Sequence, residues 1–196
     1  MPLIVSITGP FGAGKSQLAK LTAAFMGAEV ASRVPADYFL APRPDDQPFA
    51  EFLRQPLVWD WPLLDQLLSR PLGTATTTPD FDFATFTRRA EHGGLAVTVR
   101  PVMLVDAMPP HPRTDLLVRL DASAEVRRQR LAERDLQWGT VVIDRWQTLA
   151  ATERAVSGRQ HRSPDMSLDG ERPLAENAAH LATLIRQHLI EGPHPR

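Results

Sequence analysis

The chain has 196 residues, with 22 basic and 23 acidic side chains for a net charge of −1, and no cysteine. That length buries one ordinary core, the missing thiols exclude disulfides and thiolate zinc sites, and the balanced charge offers no basic field for nucleic acid. No apolar run reaches the length of a membrane span, and Met1-Pro2-Leu3-Ile4-Val5 has no charged leader, so a single cytoplasmic domain with no membrane partner is the expectation.

The first apolar run, Leu3 to Thr8, lacks alternation, as buried parallel strands do. It leads directly into Gly9-Pro10-Phe11-Gly12-Ala13-Gly14-Lys15-Ser16, which fits G-x-x-x-x-G-K-[ST]. Such a loop turns successive backbone N–H groups toward a polyphosphate and opens a helix whose positive end adds to the attraction. Gly9, Phe11, Gly12, Ala13, Gly14, Lys15, Ser16 and Gln17 are therefore the expected nucleotide-binding residues. Lys15 would reach the terminal phosphates and the Ser16 hydroxyl would hold Mg²⁺. Only Lys15 and Lys20 are lysines, so one of the two stands where this loop requires it.

Helix spacing of Leu18, Leu21, Phe25 and Met26 predicts a helix stopped by Gly27, and Ala28 to Val34 predicts a second strand. Asp37 follows at that strand's end, where carboxylates in open α/β sheets face the ligand crevice. A proline-rich loop runs to Pro48. Asp60 stands before Trp61-Pro62 and the helical face of Leu63, Leu64, Leu67 and Leu68, which makes it an N-cap candidate. The stretch 74–90 is rich in Thr and Phe and reads as an extended hairpin, with Phe81, Phe83 and Phe86 either a small core or a ring-binding surface.

Two strand-like runs follow Gly93-Gly94, and the second, Val102 to Val105, ends in Asp106. An apolar strand ending in an acid beside a phosphate loop is the form that places a carboxylate near Mg²⁺. Leu116 to Leu120 is a further strand, capped by Asp121 or Ser123 into a helix on which Arg127, Arg130 and Arg134 share a face. That face is either solvated or a lid, about 127–140, whose guanidinium groups meet a transferring phosphoryl. Thr140 to Val156 reads as another helix and 157–171 as a loop. A last helix after Pro173 turns Leu174, Ala178, Leu181, Leu184, Ile185 and Leu189 inward, and 192–196 is a frayed tail.

Strands alternating with helices after a phosphate loop predict an α/β fold, a P-loop NTPase three-layer sandwich with a central parallel sheet and a short lid. In the order of its side motifs the chain resembles the uridine kinase family of P-loop nucleoside kinases. Asp37-Tyr38-Phe39 matches that family's Asp-x-[FY], and Asp60-Trp61-Pro62 keeps two members of its Asp-His-Pro. Pro79 to Arg88 keeps Pro, Asp, Phe and Arg of its Pro-x-Tyr-Asp-Phe-x-x-His-x-Arg, and Arg134-Asp135 matches the end of its lid run.

The resemblance implies ATP and Mg²⁺ as cofactors, Asp37 as catalytic base, and Asp60, Phe81, Phe86 and Arg88 as substrate-binding residues. Lys15 and Arg134 act on the transferring phosphoryl, Arg130 on the donor, and Ser16 with Asp106 on the metal. The family's base-reading Tyr and His are Phe81 and Phe86 here, its Glu-Gly is Asp106-Ala107, and its further lid arginines are missing. A guanine-nucleotide switch is excluded by the lack of any [NT]-K-x-D segment. The expectation is an ATP-dependent kinase for a small-molecule hydroxyl, most closely a nucleoside. The alternatives are a non-pyrimidine acceptor such as nicotinamide riboside, or a nucleotide-sensing module on a degenerate kinase fold. Oligomeric state stays open.

Overall fold

The computed structural model describes residues 1–52, 55–137, 149–150, 152–155 and 162–191. Five parallel strands form the central sheet: β1 (Leu3–Thr8), β2 (Ala31–Pro35), β7 (Val102–Asp106), β8 (Leu116–Asp121) and β9 (Met166–Asp169), in the order β2-β7-β1-β8-β9. Alternate side chains of these strands go to opposite faces, and both faces of the central strands are covered, which is why β1 and β7 are mostly apolar.

Val5, Ile7, Leu104, Val118 and Leu120 pack on one side with α1 (Lys15–Met26) and the long C-terminal helix Leu174–Glu191, labelled α5 below. Ile4, Val34, Met103 and Val105 pack on the other with α3 (Trp61–Leu68) and the aromatic segment around Phe81. These are the three layers of the P-loop α/β fold that the sequence pattern predicts.

Several local expectations change. The second strand begins at Ala31, since 28–30 form a turn after Gly27, and a short helix α2 (Phe49–Phe52) follows the proline-rich loop. The stretch 74–90 is not one hairpin. Strand β3 (Ala75–Thr77) pairs with the distant β6 (Ala96–Thr98), while β4 (Asp80–Asp82) and β5 (Thr87–Ala90) form the hairpin proper. Strand β9 lies inside the segment expected to be loop. Phe25, Leu174 and Leu189, at helical spacing with buried neighbours, are exposed.

Helix α4 spans Ala124–Gln137, with the Ser123 hydroxyl accepting from the Val126 N–H. Of the helix expected over 140–156, residues 149–150 and 152–155 are helical and the others lie outside the described residues, as do 138–140 and the tail 192–196.

Candidate active site

Parallel pairing brings the functional candidates to one end of the sheet. Ile7 of β1 is level with Asp106 of β7, and Pro35 of β2 is level with Asp106 on its other side. The phosphate loop, Asp106 and the turn carrying Asp37 therefore leave adjacent strands at the same height, at the carboxyl ends where α/β sheets bind ligands.

The loop's glycines are required by shape. Gly9 has φ 139° and a Cβ there would stand 2.0 Å from the Leu120 carbonyl oxygen; Gly12 has φ 80° and its Cβ would meet the Arg127 carbonyl oxygen at 2.7 Å. Gly14 is the N-cap of helix α1 and offers no side-chain cap, while the Gln17 and Leu18 N–H groups donate to its carbonyl; a helix start of this kind is the arrangement that receives phosphate. Lys15 Nζ donates to the Gly9 and Pro10 carbonyls at 2.9 and 3.0 Å and lies over the Phe11 ring. Loss of hydration lowers the Lys15 pKa, against the pull of Asp37, Asp106 and Glu153, which favours the charged form. Gln17 is exposed at the start of α1.

Asp106 is held from two sides. The Ser16 hydroxyl donates to its Oδ2 at 2.6 Å, and Arg33 forms a bidentate pair with it, Nε to Oδ1 at 2.8 Å and Nη2 to Oδ2 at 2.9 Å. The Asp106 side chain is 4% exposed, so this pairing is what makes a buried carboxylate tolerable. Sequence reasoning missed Arg33. The signal was present in the run Ala31-Ser32-Arg33-Val34, because a guanidinium inside a short apolar strand needs a partner.

Two adjacent oxygen donors, Ser16 Oγ and an Asp106 carboxylate oxygen, suit Mg²⁺, which prefers oxygen and takes few protein ligands when phosphates supply the rest.

Asp37 sits in a 3₁₀ turn, Ala36–Phe39, half-buried. Burial first, and then the nearby Asp106 charge, raise its pKa from 3.8 to about 6, against the opposing charges of Lys15, Arg33 and Arg134. A carboxylate near neutrality beside a phosphate loop has the properties of a general base.

Asp60 has two tasks. Its Oδ1 accepts from the Leu63 N–H as the N-cap of α3, and its Oδ2 accepts from Arg88 Nη1 at 3.1 Å; Arg88 Nη2 donates to the Leu40 carbonyl. The N-cap reading and the substrate reading thus share one carboxylate. Phe81 is 5% exposed, packed against Phe83 at 5.1 Å and edge-on to Phe86, so its ring is largely core. Phe86 keeps partial exposure at φ 55°, and Phe83 meets Tyr38 edge-on.

On α4, Arg127 is buried, Arg130 and Arg134 are half-buried and Arg128 is exposed, so the three spaced arginines do share an inward face. Arg130 donates to the Ala13 carbonyl of the phosphate loop and to Gly170. Arg134 is within electrostatic reach of Asp37. A residue that sequence reasoning overlooked also engages the loop: Glu153, whose Oε1 accepts from the Phe11 N–H at 3.0 Å.

Sheet order, glycine-lined loop and paired acids together define a P-loop α/β domain. Solved structures share this fold: an unliganded sugar kinase from a Janibacter species (17% identity, covering 99% of this chain and 100% of the other, TM-score 0.53) and a possible uridine kinase from Bacillus stearothermophilus (17%, 86% and 89%, 0.53). D-glycerate 3-kinase from Cryptococcus neoformans var. grubii is also similar (14%, 88% and 87%, 0.57). No protein-family model and no curated protein sequence matches the chain.

Proposed function

We propose that this protein is an ATP-dependent phosphotransferase that acts on a hydroxyl of a small, polyhydroxylated molecule. The observation that carries the reading is the convergence of a phosphate loop, the paired Ser16 and Asp106, and the near-neutral carboxylate of Asp37 at one end of the sheet. The kinases that share the fold, named for a sugar, uridine and glycerate, all have hydroxyl-bearing compounds in their names and support this class.

The loop amides and Lys15 bind the donor's phosphates, and Ser16 with Asp106 would hold Mg²⁺. When bound, the metal neutralises phosphate charge. Asp37 accepts the acceptor hydroxyl's proton, while Lys15, Arg130 and Arg134 stabilise charge on the phosphoryl oxygens. Asp60, held by Arg88, offers a carboxylate to neighbouring hydroxyls.

A nucleoside remains the acceptor that the motif order favours. A pyrimidine is disfavoured, because the positions that would read its polar edge are Phe81 and Phe86, and apolar groups cannot reward those hydrogen bonds. A ribose bearing another flat ring, or a simpler polyol, fits better.

ADP release from Mg-ATP, measured with pooled nucleosides, sugars and hydroxy acids against a Lys15→Ala control, tests the class. Release that requires one pool and vanishes in the control supports it. ATP binding without acceptor-dependent release across the panel favours the nucleotide-sensing alternative.

A further inference from the structure

The head of the phosphate loop holds a carboxylate belonging to the protein itself. Glu153 Oε1 accepts from the Phe11 N–H at 3.0 Å and from Arg127 Nη1 at 2.7 Å. Arg127 Nη1 also donates to the Phe11 carbonyl at 3.2 Å, so loop backbone, guanidinium and carboxylate form one closed knot. The knot is largely dry: the Arg127 and Glu153 side chains are 10% and 19% exposed. It is also tightly seated, since Gly12 lies against the Arg127 backbone with no room for a Cβ. The charges of Glu153 and Arg127 both act on the Lys15 ammonium.

A backbone N–H and a guanidinium on one anionic oxygen, with the Lys15 ammonium acting on it through its charge, make the kind of donor set that a phosphoryl group takes. In a loop of this pattern Lys15 serves the terminal phosphates. The anion now beside it is a carboxylate.

We propose that Glu153 is a built-in competitor for the terminal-phosphate subsite, with the Phe11 N–H and Arg127 as that subsite's ligands. In the free protein the carboxylate accepts from a part-buried N–H and pairs with a buried guanidinium. A nucleoside triphosphate takes over both donors and must expel it, because two anions cannot share them. A diphosphate, lacking the terminal group, leaves Glu153 in place. Glu153 therefore weakens triphosphate binding selectively and favours release of the diphosphate product by returning to its donors. The inference rests on the nucleotide reading above.

The test is equilibrium binding of ADP and of a non-hydrolysable ATP analogue to the wild-type protein and to Glu153→Gln, by calorimetry and without acceptor. Glutamine keeps the size and an acceptor oxygen while removing the charge. Releasing a charge-assisted contact from competition is expected to tighten analogue binding about tenfold, with ADP changed by less than about twofold.

Unchanged or weaker analogue binding in the variant overturns the proposal, and weaker binding would show that Glu153 instead orients Arg127 for the phosphate. Should Glu153→Gln fail to fold, Glu153→Asp decides in the same way, since its shorter arm withdraws from Phe11 and should also tighten the analogue. Wild-type binding of ADP with no effect of either variant defeats this inference alone. Failure of the wild-type protein and both variants to bind either nucleotide defeats the nucleotide reading and this inference with it.

Discussion

Replacing Asp37 by Asn separates stability from chemistry at the proposed base. The carboxyl's pKa is raised from 3.8 to about 6, by burial and by Asp106. A group whose folded pKa lies above its unfolded value contributes stability that is fully present below the unfolded pKa and is lost as pH rises through the folded one. Ionised Asp37 therefore burdens the ligand-free fold above about pH 6, by up to about 3 kcal/mol. Asparagine is nearly isosteric and carries no such burden.

Urea denaturation of the ligand-free proteins should find Asp37→Asn more stable by about 2–3 kcal/mol at pH 7.5, the difference shrinking below about 1 kcal/mol at pH 4. The same variant should bind nucleotide and transfer nothing. A variant less stable than wild type at pH 7.5, or a difference that does not depend on pH, would refute the electrostatic description of this site. Normal turnover would remove Asp37 from the chemistry.

Four further expectations follow, the first of them resting on the same carboxyl. Wild-type turnover should fall as pH drops through about 6, where Asp37 takes up its proton, and a flat rate down to pH 5 would contradict its role. Asp106→Asn should destabilise the fold by about 2–4 kcal/mol, because it leaves the half-buried Arg33 guanidinium without its anion. Adding Arg33→Met should recover part of that loss, and thermal melts of the single and double variants would show otherwise if the pair were inert. Gly9→Ala should abolish soluble expression or cost more than about 3 kcal/mol, given φ 139° and a carbonyl 2.0 Å from the new Cβ. Arg88→Met should raise KM for the acceptor more than it lowers kcat, because Arg88 orients Asp60 without touching the donor site; equal loss in both would argue against that division.

What the sequence disclosed was what lies close along the chain. The phosphate loop is eight consecutive residues, the strands Leu3–Thr8 and Val102–Asp106 are mostly apolar runs, and Asp60 announces its helix through Pro62. What stayed hidden depends on distant partners. Arg33 and Asp106 are 73 residues apart, and Phe11 and Glu153 are 142 apart, so no local pattern joins them. Strand β9 escaped notice because Met166-Ser167-Leu168-Asp169 is an edge strand that buries only Leu168 and reads as polar loop. Thr76 of β3 pairs with Val97 of the distant β6, outside the β4–β5 hairpin, a pairing that the Thr-rich composition of the segment does not announce. At Phe81 the same composition served a core, where the family pattern implied a reader of substrate.

The most direct measurement follows the phosphoryl group itself. With ATP labelled in its terminal phosphate, Mg²⁺ and the acceptor pool that supports ADP release, phosphoryl transfer predicts one labelled small molecule, formed in step with ADP and absent with Lys15→Ala or Asp37→Asn. Label recovered only as inorganic phosphate, or a labelled product formed equally well by Asp37→Asn, would contradict a kinase that uses this carboxylate as its base.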